Sequence, residues 1–340
     1  MTWSLSANGP PGLERAVAGQ SNICVMSDLQ VAPGTALPPF VRTTGLANWN
    51  RYAAVNDEFI DIHMDDDAAK KVGMPGVFGM GNLRIAYLHD MVSDWLGDAG
   101  DLAEFRCEFR GLNFKGDTLT CTGTVTGERS EGGLRLVDLE LGVRNQDDVD
   151  TCPGTATVVL FDGPAAMPAE PEPTQPSGNA TEGQLLKADT IDKIGRTLPP
   201  VAAPPVGAND IARWAIATYW PESPPAAFTD AAVAEKGLWG GLVAPRDFDP
   251  FAWMPNRPWA GDWLWGMSGE PGGRVLNGGQ RNRYFAPIRP GDVISVTRRF
   301  VDVVERETKR GPMVFFTSEL RWENQDGAVV RVGEQTTIYY

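Results

Sequence analysis

Residues 52–81 read YAAVNDEFIDIHMDDDAAKKVGMPGVFGMG. This stretch contains His63, one of only two histidines in the 340 residues, shortly after the carboxylates Asp57 and Glu58. An unperturbed histidine has a pKa of about 6.5, so it takes up and releases protons near neutral pH. A glycine-rich turn, Gly79-Met80-Gly81, follows and opens an apolar run. The stretch therefore predicts proton transfer beside an anion-stabilising helix start.

The surroundings of the motif indicate ordinary structure. An isolated group of Asp, Glu and His is more often a solvated loop than a catalytic site. The acidic run 65–67 predicts such a loop and a helix start, where negative charge favours exposed amide donors. Residues 82–96 predict a helix, because apolar side chains recur on one face at Leu83, Tyr87, Leu88, Met91, Val92 and Trp95. His89 lies on its flank, where a structural role is expected.

Composition limits the class of protein. The net charge of −14 argues against a nucleic acid as the main partner. No run of about 18 apolar residues predicts a membrane span, and residues 1–24 lack the pattern of a secretory signal. The four cysteines lack Cys-x-x-Cys spacing and the two histidines lie far apart, so neither a metal site nor a disulfide framework is expected. A cytoplasmic location is the expectation.

The stretch 58–81 resembles the hydratase motif of the MaoC-like (R-specific) enoyl-CoA hydratases, a hot-dog-fold family. That motif runs roughly Gly-Asp-x-Asn-Pro-x-His and precedes a glycine-rich turn that opens the central helix. Counting back five residues from His63 gives Glu58, whereas Asp57 has the family's residue type one position further away. A one-residue loop insertion makes Asp57 the catalytic carboxylate, and without it Glu58 has that role. We favour Asp57, because such an insertion costs little chain entropy.

The resemblance implies reversible hydration of a 2-enoyl thioester, most simply a CoA thioester, by a hydro-lyase of fatty acid or steroid side-chain metabolism. The carboxylate would activate water for addition at C3, and His63 would assist proton transfer at C2. The amide of Gly81 would stabilise the enolate oxygen, and Gly79 and Met80 would contact the substrate. No cofactor apart from the CoA of the substrate, and no metal, is implied.

Two other functions fit the same scaffold. A hot-dog thioesterase would use a carboxylate and a helix amide to release a free acid. A catalytically silent acyl-binding or biosynthetic scaffold would bind the thioester without turnover. The carrier can be CoA or an acyl carrier protein, and a homodimer of double hot dogs is compatible with the family.

The chain also predicts an internal repeat. Three short segments recur in the same order at offsets that grow slowly: Arg51-Tyr52-Ala53 with Arg213-Trp214-Ala215, Gly116-Asp117 with Gly291-Asp292, and Asn145-Gln146-Asp147 with Asn324-Gln325-Asp326. Period-2 runs at 137–143 and 314–322 predict strands. The expected fold is α+β, a double hot dog with two antiparallel sheets, each wrapped around a central helix. Residues 1–163 and 185–340 are the predicted domains, and the Pro-rich segment 164–184 is the linker.

The second copy carries no Asp/His motif. Its residues 284–292 resemble the MaoC-like N-terminal dehydratase domains, which implies a non-catalytic partner that shapes the substrate site. Arg281 and Arg283 are candidates for binding CoA phosphates through charge-assisted hydrogen bonds. Four tryptophans within 246–279 predict packing or a wall over an apolar substrate: Trp253, Trp259, Trp263 and Trp265.

Overall fold

The computed structural model describes residues 29–254 and 275–340. In the first half the elements are β1 (Phe40–Thr43), α1 (Leu46–Asn56), α2 (Asp61–Met64), α3 (Asp66–Lys71), α4 (Gly81–Leu96), β2 (Gly100–Cys107), β3 (Thr118–Glu131), β4 (Leu134–Arg144) and β5 (Gly154–Leu160). In the second half they are α5 (Ala188–Ile191), β6 (Val201–Ala202), α6 (Ala208–Tyr219), α7 (Ala231–Ala234), β7 (Val275–Tyr284), β8 (Ser295–Thr308), β9 (Gly311–Glu323) and β10 (Val329–Tyr339).

The strands form one antiparallel sheet in the order β1-β3-β4-β5-β2-β7-β10-β9-β8-β6. Each half contributes five strands, and the order of the second half mirrors that of the first. The two predicted sheets are therefore present, but β2 and β7 pair at their common border, with Glu104 opposite Arg283, and join them. This pairing removes two unprotected sheet edges.

The repeat predicted from the sequence is confirmed. Arg51-Tyr52-Ala53 lies in α1 and Arg213-Trp214-Ala215 lies in α6. The two Gly-Asp pairs precede β3 and β8, and the two Asn-Gln-Asp segments form the turns before β5 and β10. The rings of Tyr52 and Trp214, which are equivalent residues of the repeat, meet edge to face at 5.7 Å between centroids.

Helix α4 is the centre of the first half and confirms the predicted helix. Residues 83–92 are all buried, so the sheet and the second half enclose this helix on every side. Arg84 interrupts the apolar face, but its Nη1 donates to the carbonyl oxygens of Gly111 and Thr151 at 2.7 and 2.9 Å. These bonds satisfy much of a guanidinium that would otherwise be costly to bury.

The second half differs around its centre. Helix α6 packs against α1 and α4, and in the described residues 185–254 and 275–340 no helix repeats the length of α4. Residues 255–274, including Trp259, Trp263 and Trp265, lie outside the described residues. A second central helix therefore stays a prediction. Trp253 is exposed, and its Nε1 donates to the carbonyl oxygen of Ala54.

The segment between β5 and α5 contains no described helix or strand. Its Thr174 bonds Glu319 through the backbone N–H and Glu334 through the hydroxyl, so this segment lies against the second half of the sheet. The domain boundaries at 163 and 184 stay a prediction. Among the residues that the structure describes, no helix combines the length and apolar composition needed to cross a membrane.

Candidate functional site

His63 lies in α2 and is buried, with a relative exposure of 6%. Its Nδ1 is 2.8 Å from the carbonyl oxygen of Phe78. Because a carbonyl oxygen only accepts hydrogen bonds, Nδ1 carries the hydrogen, and the lone pair of the neutral ring is on Nε2. Burial lowers the pKa of His63 below its ordinary value of 6.5, and the bond to Phe78 opposes this shift. His63 is therefore neutral at pH 7, with Nε2 as a proton acceptor.

The two candidate carboxylates follow the C-terminal end of α1. Asp57 caps the helix in the left-handed conformation, with φ of 50°. Glu58 is held by its neighbour Asn56, whose Nδ2 donates to Oε2 at 2.9 Å. Asn56 itself is buried. The structure thus places both carboxylates at one helix end and fixes the direction of the Glu58 side chain through a buried amide.

The glycine-rich turn lies directly before α4. The amide of Gly79 donates to the carbonyl oxygen of Asn113 at 2.8 Å, and an added Cβ would lie 2.3 Å from Nδ2 of the same residue. Met80 is buried at the start of the helix, and Gly81 is its first residue. The N–H of Gly81 has no partner within the helix and lies at the positive end of its dipole. This amide is a suitable donor to an oxyanion.

The acidic run confirms the predicted loop and helix start. The Oδ1 of Asp65 accepts from the amides of Asp67 and Ala68 at the start of α3. The Oδ1 of Asp66 accepts from the amide of Val77 at 2.9 Å and so connects α3 with the glycine-rich turn. In residues 29–254 and 275–340, no group of three or more His, Cys, Asp or Glu side chains is arranged to hold a metal ion.

A cavity of about 260 Å³ lies between the two halves. Tyr52 and Asn56 of α1 and Asn82 and Ile85 of α4 form its first-half wall. Side chains of β7 to β10 and of the segment 247–251 form the opposite wall. The cavity therefore borders Asn82, the residue after Gly81, and Asn56, the residue that holds Glu58, whereas His63, Asp57, Glu58 and Gly81 are not among its lining residues.

Two family models match the chain in succession. The MaoC-like domain model matches residues 31–146, and the model of the FAS1-like dehydratase domain region matches residues 193–332. The chain therefore carries a MaoC-like domain followed by a FAS1-like dehydratase domain region. No curated protein sequence matches this MaoC-like chain.

Solved structures share the fold of this MaoC-like protein. A putative MaoC domain protein dehydratase from Chloroflexus aurantiacus is 14% identical, with a TM-score of 0.65 over 94% of this chain and 98% of that chain. A conserved hypothetical protein from Mycobacterium tuberculosis with a double hotdog fold is also 14% identical, with a TM-score of 0.61 over 93% and 98%. The MaoC-like dehydratase from Phytophthora capsici is 11% identical, with a TM-score of 0.52 over 90% and 95%. The fold is therefore the double hot dog.

Both arginines suggested for CoA have carboxylate partners in this MaoC-like protein. Arg281 forms two hydrogen bonds of 2.8 Å to Glu104 across the border between β2 and β7. Arg283 bonds Glu334 at 2.7 Å. Phosphate binding by either arginine stays a prediction, and it requires the phosphate to compete with a carboxylate that is already bound.

His89 has the structural role expected for it. Its Nδ1 donates to the carbonyl oxygen of Ile85 at 2.8 Å, and its Nε2 accepts from the hydroxyl of Tyr284 at 2.8 Å. Burial lowers the pKa of His89 to about 4. The residue joins α4 of one half to β7 of the other.

We expect His89→Gln to remove part of the acid sensitivity of the MaoC-like fold. A folded pKa near 4, below the unfolded value of 6.5, gives stability that is fully present above pH 6.5 and is lost as pH falls towards 4. Between pH 7.5 and pH 5 this loss is about 2 kcal/mol. Urea unfolding of both proteins at the two pH values measures it, because other titrating groups occur in both and cancel. An equal pH dependence of the two proteins contradicts the prediction.

The motif did not reveal every residue of the cavity. Asn56 directly precedes Asp57, and Asn82 directly follows Gly81. A motif extended by one residue at each of these positions includes both. Asp247 and Arg331 also line the cavity of this MaoC-like protein, but they are distant in sequence and belong to no local pattern. Only the packing of the two halves brings them to the site.

Proposed function

We propose that the protein catalyses the reversible addition of water to a 2-enoyl thioester, most simply a CoA thioester. The observation that carries the proposal is His63: a buried, neutral imidazole whose Nδ1 is occupied by Phe78 and whose Nε2 is a proton acceptor. Along the chain it follows the helix end that carries Asp57 and Glu58, and it precedes α4, whose first amide has no acceptor within the helix. General base, carboxylate and oxyanion donor are the groups that this reaction requires.

In the proposed mechanism, water donates one hydrogen to Nε2 of His63 and the other to the carboxylate. Two acceptors orient the water so that a lone pair on its oxygen is directed at C3. As the C–O bond forms at C3, one proton passes from the water to Nε2 of His63, while the carboxylate keeps the hydrogen bond that orients the water, and the π electrons move towards the thioester oxygen. The amide of Gly81 stabilises the enolate, and the captured proton then goes to C2. The product has gained one water, and each catalytic group has returned to its starting state.

The contact of Asn56 supports Glu58 as the carboxylate. Asn56 lines the cavity and its Nδ2 donates to Oε2 of Glu58, so a residue of the cavity wall orients this side chain. Asp57, which the sequence favoured, instead terminates α1. We therefore assign the water-activating role to Glu58, without the loop insertion that Asp57 requires.

The purified protein is incubated with trans-2-enoyl-CoA thioesters of different chain length and ring content, and the products are analysed by mass spectrometry. We expect at least one thioester to gain the mass of one water. The corresponding 3-hydroxyacyl thioester should lose water until the same equilibrium is reached. Release of free CoA and acid instead indicates a thioesterase. Binding without any product indicates the silent acyl-binding scaffold, and either result overturns the proposal. The corresponding acyl-carrier-protein thioesters separate the two carriers.

A further inference from the structure

The second-half wall of the cavity combines apolar side chains with charged and polar ones. It includes Asp247, Asp249, Asn282, Arg298, Arg331 and Glu334. A plain alkyl chain would remove such groups from water and provide no hydrogen bonds in return, which is unfavourable. The composition of this wall therefore indicates an acyl group with a polar end.

The carboxylates of the wall already accept hydrogen bonds. Glu334 accepts from Arg283 at 2.7 Å and from the hydroxyl of Thr174 at 2.8 Å. Asp247 accepts from the indole N–H of Trp214 at 2.8 Å. Asp249 accepts from the amide of Phe251 at 2.9 Å. Each acid thus has a donor from the protein.

Arg331 differs from these acids. Its guanidinium carbon lies 3.2 Å from the centre of the Trp322 ring, so the group is stacked on the indole. Within the described part of the chain, the guanidinium makes no hydrogen bond and no ion pair. Burial lowers the pKa of Arg331, whereas Tyr284, Asp249 and Asp247 oppose this shift from a distance greater than that of an ion pair. Among the described residues, the guanidinium is therefore held in the cavity wall by stacking and by no carboxylate.

Other arginines of the same sheet show what is missing at Arg331. In β7 to β9, four of them bind a carboxylate at 3.0 Å or less, in the pairs Arg281–Glu104, Arg283–Glu334, Arg299–Glu319 and Arg321–Glu323. A guanidinium presents several N–H donors in a planar fork that matches a carboxylate. Stacking on Trp322 holds the plane of Arg331 and leaves the edges of the fork for such a partner.

We propose that Arg331 binds a carboxylate at the far end of the acyl group, so that the substrate is the mono-thioester of an unsaturated dicarboxylic acid. This inference rests on the proposed function for the thioester end, and it specifies the other end of the substrate. Asn282, whose side chain belongs to the same wall, supplies an additional amide donor. Asp247 has one buried oxygen without a partner in the described residues, and burial raises its pKa to about 6. A pH below about 6 is needed to protonate most of Asp247, and the protonated acid then donates to the same carboxylate.

Saturated thioesters test the binding without any catalysis. Calorimetry compares succinyl-CoA with butanoyl-CoA and adipoyl-CoA with hexanoyl-CoA. In each pair the first acyl group ends in a carboxylate and the second ends in a methyl group. We expect the carboxylate to bind roughly 10- to 100-fold more tightly in at least one pair, as for hydrogen bonds to charged groups. Equal affinity in both pairs overturns the inference.

Arg331→Gln is expected to abolish this preference, so that the Kd values of the carboxylate-terminated and the methyl-terminated thioester differ by no more than about twofold. Arg306→Gln is the matched control, since Arg306 is an exposed arginine of the same sheet that does not line the cavity. Arg331→Lys, which keeps the charge without the planar fork, serves if the Gln variant does not fold, and it should lose most of the preference. A preference that survives in both Arg331 variants contradicts the assignment.

The rates of hydration of fumaryl-CoA and crotonyl-CoA are compared in order to test the proposed hydratase function separately from carboxylate binding by Arg331. Hydration of crotonyl-CoA alone, with no preference for carboxylates in binding, leaves the proposed function intact and rejects the inference. A binding preference without hydration of any enoyl thioester supports the role of Arg331 and rejects the proposed function.

Discussion

His63→Asn lowers the rate of enoyl-thioester hydration by roughly 10²- to 10⁴-fold, the usual contribution of a positioned acid or base. Asparagine places an amide N–H near the position of Nδ1, so the carbonyl oxygen of Phe78 keeps its donor. The proton acceptor at Nε2 is lost. Steady-state kinetics should therefore show a fall in kcat, and calorimetry with a saturated thioester should show an unchanged Kd.

The pH profile of the wild-type protein gives an independent check on His63. Because burial lowers the pKa of the imidazole, the neutral, active form persists below pH 6.5. We expect kcat/KM to stay level as pH falls to this value and to decrease only at lower pH. The pH profile of His63→Asn should lack the decrease in kcat/KM at low pH that protonation of the imidazole causes. A variant that keeps the full rate excludes His63 from the chemistry.

Local patterns were sufficient to predict the elements around the motif. Helix α4 follows from apolar side chains at helical spacing after a glycine, and its observed bounds, Gly81–Leu96, differ little from the predicted ones. The repeat was visible because short turn-forming segments such as Gly116-Asp117 and Gly291-Asp292 precede equivalent strands. Backbone geometry requires such residues locally, so their positions carry information without any knowledge of packing.

The cavity could not be predicted in the same way. Whether Arg281 and Arg283 face a ligand or a carboxylate depends on the pairing of β2 with β7 and of β7 with β10, which are long-range events. The stacking of Arg331 on Trp322 likewise results from the register of β10 with β9. In a strand, alternate residues share a face, but the sequence does not show which face meets the other half.

The choice between the two carboxylates depends on one buried contact. Asn56 Nδ2 holds Glu58 Oε2 at 2.9 Å and also lines the cavity, whereas Asp57 terminates α1 at φ of 50°. We therefore expect Glu58→Gln to lower kcat by roughly 10²- to 10⁴-fold, because it removes the charge that accepts a hydrogen bond from the attacking water and keeps the shape of the side chain.

Asp57→Asn is the matched variant, and it should keep the rate within a few-fold. Asparagine tolerates the left-handed conformation as well as aspartate does, so this change removes charge without straining the helix end. Rates and thermal unfolding of both variants are measured together, so that a loss of folded protein is not mistaken for a loss of catalysis. The opposite order of effects would identify Asp57 as the carboxylate that orients the water and imply the one-residue loop insertion. Full activity in both variants would show that neither carboxylate is needed to orient the water together with His63. The hydration mechanism would then be wrong.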